Sequence, residues 1–234
     1  MLAAALLVAC SAGRDRIALP DPGSAACSPD REVEGEPVGA LTVVADGPAD
    51  PVRLPHARSP AERLLVRHLH RTLLRVDCRG RLVPELAEDW QREADGRRWR
   101  FRLARATAPG GGRITARQVV AAWREAGLAR PPGTPDPLAG VHARAEGPRT
   151  LVVETDDALA SPALFARPAF AVVGGPAAGG WPAATGPYRT AGAGGPAGAT
   201  GTDALSLRPA PGRGGPALRI VPAERRRARD LIDQ

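Results

Sequence analysis

Apolar positions recur along this chain with two periods, and each change of period marks an element. Ala40-Leu41-Thr42-Val43-Val44-Ala45 is a short apolar run suited to a buried strand. It runs into Asp46-Gly47-Pro48-Ala49-Asp50-Pro51, where Gly and Pro force a loop. Ser59-Pro60-Ala61-Glu62 then has the signature of a helix start. Ser59 supplies the cap, Pro60 suits the first helical position and Glu62 closes a capping box. Leu65, Leu69, Leu73 and Val76 follow at helical spacing and predict one buried stripe. A turn at Asp77-Cys78-Arg79-Gly80 ends it, and the chain is expected to run extended from Leu82 to Trp90.

Past Trp90 the period drops to two. Asp95-Gly96 is a two-residue hairpin signal, because both central residues of a type I′ turn need positive φ. Arg98, Arg100 and Arg102 then alternate with Trp99, Phe101 and Leu103, which sends the arginines to one face and the apolar residues to the other. Such an arginine row is read as a solvated strand face rather than a phosphate ladder. Thr115 and Gln118 form a second capping box, Val119, Val120 and Trp123 supply the apolar stripe, and Gly127 is placed to close the helix. Further strands are expected at Thr150 to Thr155, Phe170 to Val173, Ala204 to Leu207 and Leu218 to Val221, with a helix from Ala223 to Ile232.

Composition narrows the class. At 234 residues the chain can bury one large core or two small ones. Of its 27 glycines and 25 prolines, 20 fall in the 43 positions from Gly174 to Pro216, which marks a loop-rich stretch. Aromatic residues make up only 3% of the chain, so Leu, Val and Ala must build most of the interior. The net charge of +7 comes from arginine alone, since there is no lysine. The arginines are dispersed and carry no interleaved aromatic platform, so a nucleic-acid partner is not expected.

The N-terminus bears on compartment. An apolar run from Leu2 to Val8 leads into Leu7-Val8-Ala9-Cys10-Ser11, which looks like a bacterial lipobox with Cys10 as the acylated residue. The apolar stretch is short and no Lys or Arg precedes it, so a true start upstream of Met1 is expected. The competing reading is a buried N-terminal strand with a chance cysteine. With Cys10 acylated, Cys27 and Cys78 remain, and an oxidising compartment allows them to pair. That bridge would staple the polar segment 11–39, read as a tether, to the folded body.

The order of pieces from Arg67 to Glu125 resembles the extracellular solute-binding proteins of family 5, the oligopeptide-, dipeptide- and nickel-binding components of ABC importers. The resemblance rests on the amphipathic segment ending at Leu74, Leu82-Val83-Pro84-Glu85-Leu86-Ala87-Glu88-Asp89-Trp90, the Asp95-Gly96 turn, Trp99-Arg100-Phe101-Arg102-Leu103, and Ile114-Thr115-Ala116-Arg117-Gln118-Val119-Val120. Thr185-Gly186-Pro187-Tyr188-Arg189 is similar to the family's GTGPY turn, with Ala184 where its first Gly would stand. Ala49-Asp50-Pro51 keeps two residues of an LDP motif.

This resemblance implies an α/β, periplasmic-binding-protein-like lobe with a mixed sheet and a smaller α+β subdomain. It covers roughly residues 40–234 but only the front half of the family, so a fragment or truncated product without the second lobe is expected. The implied division is 1–10 signal and lipobox, 11–39 tether, 40–58 with 180–234 partial lobe, and 59–179 subdomain. Leu69, Leu73, Trp90, Trp99, Phe101, Val119, Val120 and Trp123 should be buried in that subdomain.

The implied function is capture of a peptide-like solute, with a nickel complex left open, for delivery to ABC permease subunits. The protein would be monomeric, extracytoplasmic or periplasmic, and held to the membrane by its N-terminal lipid. Ala45, Asp46, Gly47 and Pro48, after the first strand, are the candidates for lining the ligand cleft. Alternatives are a lipid-anchored interaction module without a transport role, a periplasmic enzyme and a pseudogene fragment.

No cofactor or catalytic constellation is legible. His68 and His70 lie two apart, which on a helix turns them about 200° from each other, so they cannot share an ion. His56 and His142 stand alone, and no metal site is expected. The carboxylates at Glu85, Glu88, Asp89, Asp156 and Asp157 form no pair across a cleft. Gly110-Gly111-Gly112 lacks the Lys-Ser/Thr of a phosphate loop.

Overall fold

A computed structural model of the chain describes residues 39–107, 112–130, 133, 135–175, 181–191, 204–213 and 215–223. Two four-stranded sheets carry separate cores. The first is mixed, in the order β1 (Ala40–Asp46), β10 (Ala217–Ala223), β9 (Leu205–Pro209), β8 (Tyr188–Thr190). β1 runs parallel to β10, from Ala40 opposite Ala217 to Asp46 opposite Ala223, and the other pairings are antiparallel. Thus the strand at Leu41–Ala45 joins strands that follow Thr185, as the sequence reading expects.

Helix α1 (Pro60–Leu69) packs on this sheet. Ser59 is its N-cap, and the Ser59–Glu62 capping box is formed in both directions. Ala61, Leu65, Val66 and Leu69 share a core with Leu205, Leu207, Leu218, Ile220 and Trp181. The helix ends earlier than the apolar stripe implies. His70 has extended backbone angles, Leu73 is buried outside the helix, and Val76 is exposed in β2 (Leu74–Val76), paired with β3 (Leu82–Pro84). Leu69 is therefore buried in the first core, not in the second as the stripe suggested.

The second sheet is antiparallel, in the order β4 (Ala87–Arg92), β5 (Arg98–Leu103), β7 (Thr150–Thr155), β6 (Val141–Ala145). Trp99, Phe101 and Leu103 are fully or almost fully buried, and Arg98, Arg100 and Arg102 lie on the other face. Those arginines meet carboxylates on neighbouring strands. Arg98 pairs with Glu93 and Glu154, Arg100 with Glu146, and Arg102 with Glu88 and Asp89. Val152 stands opposite both Arg100 and Arg144 and is nonetheless fully buried, as expected when arginine stems lie over an apolar residue.

Helix α2 (Ala116–Leu128) covers the apolar face of this sheet, started by the Thr115–Gln118 capping box. Trp123 stacks on Phe165 and meets Phe170 edge-on, while its indole nitrogen donates to the Phe170 carbonyl at 3.0 Å. Val120 is only partly buried. Gly127 lies inside the helix, which is capped at Ala129.

Two local expectations fail for identifiable reasons. The β4–β5 turn is not type I′, because Asp95 does not have positive φ. Gly96 alone does, at 67°, and its N–H donates to Glu93 O in a longer loop. Phe170 belongs to a 3-10 turn, Pro168–Phe170, since Pro168 sets helical φ. Only Val172 bridges, to Arg71. Ala223 ends β10, and the rest of the helix expected from Ala223 to Ile232 lies outside the described residues.

Candidate functional site

The parallel pair β1 and β10 gives the molecule a carboxyl edge, the side of an α/β sheet where ligands commonly bind. Ala45, Asp46, Gly47 and Pro48 sit there together. Ala45 is buried, Asp46 and Gly47 are half-buried, and Pro48 is exposed. Gly47 holds φ at 84° and donates its N–H to Ala223 O at 2.9 Å. A Cβ at this position would stand 2.7 Å from Ser59 Cβ, so only glycine fits both the backbone and the space.

The following loop is fastened to the start of α1. Ser59 Oγ donates to Pro48 O at 2.6 Å. The Glu62 side chain is fully buried, and its carboxylate accepts from the backbone N–H groups of Asp50, Arg58 and Ser59. A carboxylate at a helix N-terminus is favoured by the exposed amides and the helix dipole. The edge is thus held in place by backbone and side-chain hydrogen bonds to the start of α1.

The remaining sequence candidates are scattered. Cys78 is exposed in its turn and disulfide-bonded. Cys10 and Cys27 lie outside the described residues. The four histidines are separated in space by role. His56 Nε2 contacts Ala126 O at 2.7 Å, His68 Nδ1 contacts Leu64 O at 2.8 Å, and His142 meets Asp156 at 3.1 Å. His70 is buried with neither ring nitrogen hydrogen-bonded, and burial lowers its pKa to about 4. Among the described residues no three His, Cys, Asp or Glu side chains are grouped to hold a metal ion. Also among them, no helix is long and apolar enough to cross a membrane.

One feature has no sequence signal. A cavity of approximately 390 Å3 opens between α2 and β6, lined in part by Trp123, Arg124, Gly127 and Val141. Its walls come from α2 and from the separate stretch Leu138 to Ala143, so no local pattern announces it.

No family model matches the chain, and no curated protein does. Solved structures do. Haemophilus influenzae OppA in complex with the peptide RPPGFSPFR aligns with a TM-score of 0.66 at 18% identity, over 83% of this chain and 46% of that one. The Escherichia coli murein tripeptide binding protein MppA gives 0.61 at 20% identity, over 80% of this chain and 42% of its own. The nickel ABC transporter protein of Bacillus halodurans gives 0.62 at 20% identity, over 83% and 41%. The chain therefore spans less than half the length of the solved structures it resembles. At these identities the likeness is one of fold: a mixed α/β chain corresponding to part of a periplasmic-binding-protein lobe.

Proposed function

We propose that the chain is the solute-binding component of an ABC importer of family 5, which captures peptide-like solutes and delivers them to permease subunits. The observation that carries this reading is the fixed carboxyl edge of the β1–β10 pair, in a fold shared with peptide- and nickel-binding proteins. Ala45, Asp46, Gly47 and Pro48 line one wall of the cleft in this reading. Closure of a second wall over the solute would then present the docking surface to the permease. The role is binding, without catalysis, as monomer.

The same reading assigns 40–58 and 180–234 to the partial lobe, with the subdomain within 59–179, although α1 packs on the lobe sheet. Residues 1–10 act as signal and lipobox and 11–39 as tether. Cys10 carries the lipid and holds the protein on the outer side of the membrane, and Cys27 pairs with Cys78.

Uptake measurement tests the reading directly. A deletion strain should lose accumulation of labelled tri- to pentapeptides, and unchanged uptake of both peptides and nickel would sink the importer role. Calorimetry of the 234-residue chain with the same peptides should show poor binding or none, because one wall cannot enclose a ligand. Micromolar binding would show that this wall suffices.

A further inference from the structure

The groove between α2 and β6 lies in the second core, whereas the β1–β10 edge belongs to the first sheet. Its walls are apolar: Val120 and Trp123 from the helix, and Leu138 and Val141 from the strand side. The indole nitrogen of Trp123 is already satisfied by Phe170 O, so the ring offers hydrocarbon surface only. A volume of approximately 390 Å3 falls within the range of small-molecule sites, about 300–1,000 Å3.

Two basic residues stand at this groove, Arg124 and His142. His142 is engaged by Asp156, with Nε2 and Oδ1 3.1 Å apart. Arg124 makes no hydrogen bond or ion pair among the described residues. That sets it apart from Arg98, Arg100, Arg102, Arg144 and Arg149, each of which meets a carboxylate. An unpaired guanidinium beside an apolar groove is complementary to an anion with a hydrocarbon body.

Gly127 supplies an independent observation. It lies in the last turn of α2, where glycine is among the poorest helix formers. Its φ is not positive, and a Cβ built on it would meet nothing within 4 Å. Neither backbone geometry nor packing requires glycine there. What the missing side chain does is leave the groove open.

We propose that the groove between α2 and β6 binds a small apolar carboxylate, with Arg124 holding the carboxylate and Trp123, Leu138 and Val141 enclosing the hydrocarbon. Gly127 sets the depth of the site, and His142, tied to Asp156, borders it. The ligand class is a free monocarboxylic acid on the order of ten heavy atoms, at the small end of what such a volume admits.

Octanoate is the probe, with 1-octanol as its uncharged counterpart, each titrated into the full chain and followed by amide NMR. Octanoate should shift the resonances of Trp123, Gly127 and Val141, with a Kd on the order of 1 mM or tighter. Arg124→Gln should weaken octanoate about tenfold and change 1-octanol by less than about twofold. Gly127→Leu should abolish both while leaving the thermal midpoint no lower than that of the parent chain. Equal affinity for the acid and the alcohol, unaltered by Arg124→Gln, would overturn the proposal in favour of unspecific adsorption. Shifts confined to other parts of the molecule, or none at about 5 mM octanoate, would overturn it outright.

Discussion

Gly186 donates its backbone N–H to the carbonyl of Leu69 at 2.7 Å, closing the end of α1 against a segment more than a hundred residues away. The approach is so close that a Cβ on Gly186 would lie 2.5 Å from His68 O, 2.7 Å from Leu69 C and 2.8 Å from His70 N. All three are backbone atoms and cannot step aside as a side-chain tip could. Gly186→Ala should therefore cost about 2–3 kcal/mol by urea unfolding. Gly175, where a Cβ meets nothing within 4 Å, is the control, and its alanine variant should stay within about 0.5 kcal/mol.

His70, next to this contact, makes stability depend on pH. Its folded pKa of about 4 lies below the ordinary value of 6.5 because burial disfavours the charged ring. The unfolded chain then binds the proton more readily, so this contribution is complete above about pH 6.5 and is lost as pH falls toward 4. The full difference is about 3 kcal/mol, and His70→Leu should flatten the stability profile across that window. Glu85 works in the opposite sense. Burial raises its pKa, against hydrogen bonds from Thr72, so its contribution grows as pH falls. Chemical denaturation of both forms at pH 7 and pH 5 isolates the histidine. Equal pH dependence in the two would exclude it as the source.

Phe165 is fully buried at the centre of the second core, with ring centroids 5.1 Å from Phe101, 5.5 Å from Phe170 and 6.3 Å from Trp123. Phe165→Ala should cost about 3–5 kcal/mol, since its neighbours come from a strand, a helix and a 3-10 turn that cannot all collapse inward. Arg100→Ala, on the solvated face of the same sheet, should cost less than about 1 kcal/mol in the same assay.

Cysteine chemistry separates the two proposed roles. Cys27→Ser should expose a free Cys78 thiol to alkylation without reductant, whereas Cys10→Ser should not. Palmitate labelling in a bacterial host should show the reverse dependence, vanishing with Cys10→Ser and surviving Cys27→Ser. Labelling that persists without Cys10 would remove the lipid anchor, and a protected Cys78 in the Cys27 variant would remove the pairing.

Local chemistry made much of the fold readable. Ser59 with Glu62 and Thr115 with Gln118 mark the two helix starts, because a cap is satisfied within four residues. The alternation from Arg98 to Leu103 gave strand and faces together. Where α1 stops was not readable, because Leu73 and Val76 continue the apolar spacing by coincidence. The stop is fixed instead by partners distant in sequence: Val172 bridging Arg71, Thr185 Oγ1 accepting from Arg71 N–H, and Gly186 on Leu69. At the candidate cleft, Gly47 was identifiable from its loop, but the hold of Ser59 on Pro48 needs the folded helix to be seen.

Among the described residues β1 has a single neighbour in its sheet, β10, and that partner is the last described strand. On the ribosome this fixes an order of events. The antiparallel sheet has every one of its strands by Thr155 and can close while synthesis continues. The first strand made must stay unpaired until almost all of the described chain has emerged. Among the described strands, the pairing that completes the β1–β10 edge is thus the last to become possible, and the edge exists only once it has formed.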